Sequence, residues 1–102
     1  SARHVVIQKF VEAFNTKELD RIRAFRAEHM VKRADGPSDA DRDRVAQRMF
    51  DEMQKLSVEG VQAEDKESVT VRMKTGTGER VSFRFGFDPQ DKVTGVRVEA
   101  GD

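Results

Sequence analysis

The apolar residues of this chain keep helical time as far as Leu56 and strand time after it, and that change constrains the fold more than any other feature. Before it, Val6, Ile7, Phe10, Val11 and Phe14 recur at spacings of three and four, one stripe of an amphipathic helix. Leu19, Ile22, Phe25 and Met30 make a second stripe, on a helix from about Lys17 to His29. Val45, Ala46, Met49, Phe50, Met53 and Leu56 make a third, on a helix reaching about Leu56. Beyond that point Val69, Val71 and Met73 alternate with Thr70, Arg72 and Lys74. Val81, Phe83, Phe85 and Phe87 likewise alternate with Arg80, Ser82, Arg84 and Gly86, the signature of half-buried strands. Val58–Glu64 and Val93–Glu99 read as the outer strands, with Gly60 marking a bulge and Val96 and Val98 pointing inward.

The punctuation between these runs sets their order in space. The first two stripes do not share one phase across Asn15-Thr16, so the break predicts a helical hairpin that covers a curved sheet where one straight helix would not. Asn15 tolerates the left-handed conformation and is the predicted helix terminator, while Glu18 suits the positive end of the next helix. Ala34–Ser38 is turn chemistry, and Ser38 followed by Asp41 resembles a capping box. On the third helix, Arg48–Glu52 and Asp51–Lys55 stand at the i,i+4 spacing of ion pairs. Thr75–Glu79 and Asp88–Lys92 are hairpin turns. The sum is an α+β domain over residues 1–102: three N-terminal helices packed on one face of a curved four-stranded antiparallel sheet.

Composition narrows the partners. The 19 basic and 19 acidic residues cancel, so no clustered basic excess points to nucleic acid. No apolar run approaches the roughly 20 residues of a membrane span. Cysteine is absent, which removes disulfides and thiolate metal sites and leaves secreted, periplasmic and cytoplasmic compartments all open. Ser1-Ala2 fits an expression scar, a signal-peptidase product and a trimmed boundary alike, and a domain of a larger protein is among the expectations.

The stretch VIQKFVEAFNTKELDRIRAFRAEHM, with VSFRFGFDPQDKVTGVRVE near the other end, resembles the nuclear-transport-factor-two-like superfamily, the SnoaL-like and ketosteroid-isomerase-like group with a cystatin-like fold. In tone it is closest to accessory domains beside secreted serine hydrolases and peptidases. Lys17 stands where that family usually has glycine, and Glu18 where it usually has aspartate. The short connection Val31–Pro37 shows no extra strand, so the resemblance implies a family pocket that is shallow or closed.

The family's enzymes use an Asp base or Tyr and Asp hydrogen-bond donors in an apolar pocket, where desolvation tunes the carboxyl group. This chain has no Tyr, Trp or Cys. Its predicted inward strand positions, from Val69 to Val98, carry no group able to move a proton and read as solid core. No catalytic, cofactor-binding or metal-binding residue is therefore expected. His29 at a helix end reads as a dipole partner, and His4 near the chain end as solvated. Gly76–Glu79 joins two strands and opens no helix, which excludes a phosphate loop.

Two binding readings survive. Met49, Met53 and Met73, with Phe85, could line a pocket for an apolar small molecule. Arg72, Arg84 and Arg97 share the polar face of the sheet, either as a solvated face or as a homodimer contact. The function expected is non-catalytic binding, dimerisation or regulation, with the domain attached to a larger hydrolase. The alternative is a small SnoaL-like or ketosteroid-isomerase-like enzyme acting on an apolar ligand, with Asp20, Glu28 and Asp51 as its candidate acids. A cystatin-type protease inhibitor is disfavoured, because Thr75–Glu79 does not match that family's inhibitory loop.

Overall fold

The apolar stripes meet one sheet, the third helix's only in part. A computed structural model describes residues 1–100, and within them α1 (Ala2–Thr16), α2 (Leu19–His29) and α3 (Asp39–Met53) precede β1 (Leu56–Glu64), β2 (Ser68–Thr75), β3 (Arg80–Phe87) and β4 (Val93–Ala100). The strands form one antiparallel sheet in the order β1-β2-β3-β4, each joined to the next by a turn. Val69, Val71 and Met73 of β2 and Val81, Phe83, Phe85 and Phe87 of β3 are buried, as their alternation requires. They meet Val6, Ile7, Phe10 and Phe14 of α1, Ile22 and Phe25 of α2, and Phe50 of α3 in one apolar core. Phe10 anchors it, with its ring 5.3 Å from Phe85, 5.5 Å from Phe25 and 5.8 Å from Phe83.

The first helix ends later than its stripe predicts, and by a different residue. Asn15 stays helical, and Lys17 takes the left-handed position (φ 60°). The reason lies across the core. The Asn15 amide donates to the Leu56 carbonyl at 2.9 Å and accepts from the Leu56 N–H at 2.8 Å, so its side chain serves the sheet instead of the turn. Leu56 correspondingly is not the last residue of α3 but the buried first residue of β1. Gln54, at φ 66°, turns the chain between them.

Other local expectations divide in the same way. The Ser38 hydroxyl accepts from the Asp41 N–H at 3.1 Å, but the Asp41 carboxylate pairs forward with Arg44 and leaves the capping box half made. Asp51 accepts from Gln47 at 3.2 Å and not from Lys55, which lies beyond the helix end; Arg48 and Glu52 make no pair among the described residues. Val31–Pro37 is not wholly free of sheet: Met30 forms an isolated parallel bridge with Val93, and the Val31 N–H reaches the Val93 carbonyl at 2.8 Å. The bulge expected at Gly60 is present, with the register slipping between Val58 and Gly60 and again between Val61 and Ala63.

Two charged anchors carried no pattern in the sequence. Arg3, at the start of α1, reaches Asp91 at 2.7 Å and the Lys66 carbonyl at 2.8 Å and lies over the Phe87 ring, tying both distal turns to the helix. Asp65 holds the β1–β2 turn by accepting from the Glu67 and Ser68 N–H groups, which lowers its pKa below the ordinary carboxylate value.

Candidate functional site

The core does not close at one end. α3 packs beside α2 and enters the core through Phe50, whose ring lies 5.1 Å from Phe14. The earlier part of α3 stands away from the sheet, leaving Val45 45% exposed and, opposite it on β4, Val98 36% exposed. Between them runs an open groove of about 330 Å³. Its wall is hydrocarbon: Phe10, Phe14, Ile22 and Phe25 from the helical hairpin, Val45, Ala46 and Met49 from α3, and Val96 and Val98 from β4. Solid core was expected at Val96 and Val98; Val96 does pack against the core, Val98 is exposed, and both line this gap.

One carboxylate holds the two helices that frame the groove. Asp43 of α3 accepts from Arg23 at 2.8 Å and from Arg26 at 2.5 Å, both on α2. The hydrogen bonds from Arg23 and then Arg26 hold the Asp43 carboxyl below the usual carboxylate range, and the same contact raises Arg23. The groove mouth carries Arg26, Met30, Pro37, Asp41 and Arg42. Asp41 is already paired with Arg44 and Arg26 with Asp43. Arg42 is half-buried and makes no ion pair among the described residues.

Of the four residues named from sequence as pocket lining, Met49 lies on the groove wall. Met53 is half-buried against the core, and Met73 and Phe85 are fully buried within it. The sequence reading missed Met30, Val45, Val96 and Arg42. Their signal was present only as stripe membership for the first three, and a stripe does not say which of its members is left uncovered.

The three arginines do share the outer face of the sheet, on β2, β3 and β4. Arg84 stands directly opposite Arg97, while Arg72 is one pair along, opposite Ser82. The two residues extruded by the β1 bulges reach across β2 on this face: Glu59 accepts from Arg80 at 3.0 Å and Gln62 from the Ser82 hydroxyl at 2.7 Å. Arg72, on the strand they cross, has its Nε enclosed without a hydrogen-bond partner. Beside Arg84 and Arg97 the sheet is bare, with Gly86 opposite Gly95. A Cβ on Gly86 would meet the Thr94 hydroxyl oxygen at 2.5 Å, so this position admits only glycine without a shift.

The remaining candidates fall outside the groove. Asp20 pairs with Arg23 and is 91% exposed; Glu28 and Asp51 are on the surface. His29 packs half-buried against the Phe25 ring. The His4 side chain is exposed, as expected, and its Nε2 lies 2.9 Å from the Glu64 carboxylate, joining α1 to β1. No three metal-ligating side chains converge among the described residues, and no described helix is long and apolar enough to cross a membrane. No family model matches this chain, and no curated protein matches it.

Proposed function

We propose that this chain is a non-catalytic binding domain of the nuclear-transport-factor-two-like, cystatin-like kind, and that the groove between α2, α3 and β4 holds an apolar small molecule. One observation carries the reading: a hydrocarbon-walled opening of about 330 Å³ left unfilled at the edge of an otherwise buried core. Pockets of this size and lining, with a few polar groups at one end, are where small ligands bind. The wall supplies no general acid or base, and the one carboxylate at the mouth, Asp41, is paired with Arg44. Attachment to a larger hydrolase remains part of the proposal, resting on the resemblance alone.

A neutral apolar fluorophore, N-phenyl-1-naphthylamine, tests the site. It is expected to bind saturably at one equivalent, and Ala46→Phe, which fills the groove from α3, is expected to weaken it at least about tenfold while leaving the melting temperature within a few degrees. Non-saturable fluorescence, or binding indifferent to Ala46→Phe, overturns the site. Turnover of an enolisable ketone that disappears in Asp20→Asn, Glu28→Gln or Asp51→Asn overturns the non-catalytic reading.

A further inference from the structure

The groove does not end at its mouth. A second recess, of about 320 Å³, adjoins it and shares three of its residues, Arg26, Met30 and Arg42; the rest of its lining is Arg23, Ala27, Val31, Lys32 and Asp39. Hydrocarbon therefore gives way to cations across Met30. The charges there do not cancel within the chain. Arg23 and Arg26 are committed to Asp43, and Arg23 also to Asp20. Lys32 and Arg42 have no carboxylate partner among the described residues, against one recess carboxylate, the exposed Asp39. Arg42 is the better placed of the two cations, since it is half-buried and lines both cavities.

Resting on the apolar-ligand reading above, we propose that the ligand is an amphiphile with an anionic head, a medium-chain carboxylate. Its chain lies against Met49, Phe25 and Val96, and its head is received by Arg42 in the adjoining recess. A guanidinium offers a carboxylate two parallel N–H donors, and one set beside hydrocarbon is screened less than one on an open surface. A cationic head would instead meet Arg42 and Lys32 as like charges. A headless chain would leave the recess cations as they are.

The four methionines make the test internal, because Met30 and Met49 lie on the groove whereas Met53 and Met73 do not. With methionine methyl groups labelled with carbon-13, the chain is titrated with decanoate, decanol, decyltrimethylammonium and acetate and followed by NMR. Decanoate is expected to move the Met30 and Met49 signals and leave Met53 and Met73 in place. It should bind about tenfold more tightly than decanol, the factor one charge-assisted hydrogen bond supplies. Decyltrimethylammonium should bind more weakly than either, and acetate should move nothing at the same concentrations. Arg42→Gln should bring decanoate down to the affinity of decanol and leave decanol unchanged.

Equal binding of decanoate and decanol overturns the anionic head and leaves the apolar groove standing. Failure of both to bind overturns the groove as well. An Arg42→Gln variant that weakens decanol as much as decanoate shows Arg42 holding the groove's shape instead of a head group, and it too overturns the proposal.

Discussion

Asn15 shows how one side chain can link two halves of a chain. Its amide satisfies both backbone groups of Leu56, 41 residues away, at the point where the helical half gives way to the sheet. Asn15→Ala is expected to destabilise the fold by about 2–3 kcal/mol, because it removes two hydrogen bonds and leaves two backbone groups of a buried residue unmatched. Urea midpoints measure this directly, and a loss below about 0.5 kcal/mol would mean that water replaces the amide at no cost. The sequence marked the position as special but assigned it the wrong task. An asparagine after a helical stripe reads as a terminator, since local rules see only the backbone on either side of it. The left-handed turn falls instead on Lys17, the residue that stands where the resembling family has glycine. The periodic positions were far more legible: every second residue from Val81 to Phe87 is buried, because alternation on a strand leaves no other choice once one face meets the helices.

Between elements, legibility falls with the reach of the contacts. The stripe on α3 could be read in advance, but not the surface that would cover it. Nor could the partners of Asp43, on the polar side of the helix, whose ion pairs with Arg23 and Arg26 join α3 to α2. The groove lies between these two helices and β4. Both Asp43 and Asp65 are held below their ordinary pKa in the folded chain, so each contributes stability that is complete above the unfolded-state value of about 3.9 and is lost as pH falls through the lower folded value. Asp43→Asn is therefore expected to be less stable than the wild type at pH 7 and to approach it as pH drops below about 4. Denaturant midpoints across pH 2.5–7 check this. Two curves that run parallel would show that the α2–α3 ion pairs do not contribute.

For the molecule as a whole, the meander order was legible because two Gly- or Pro-bearing turns separate alternating runs, and such turns put consecutive strands side by side. How the sheet's outer face is used is a matter of charge. Arg84 and Arg97 face each other with no carboxylate bonded to either among the described residues, an arrangement that costs stability in isolation. Glu59, which could have answered them in a second copy, is engaged by Arg80, so the carboxylate left to do so is Glu99. If two copies meet on this face, sedimentation shows a dimer that weakens with salt and dissociates in Arg84→Glu. A wild type that stays monomeric at high concentration returns the arginines to solvent. The doubly bulged first strand has a different consequence for how these molecules meet. β1 is a nine-residue edge, with Val58 and Val61 about half exposed. A flat edge of that kind is a template on which another chain can pair. The slips at Glu59 and Gln62 break the regular spacing of its free N–H and carbonyl groups and send two polar side chains back over its own sheet. Straightened by loss of both extruded residues, the same strand would offer an unbroken run of backbone donors and valines to its neighbours, and the boundary of a discrete molecule would become a growing end for fibrils.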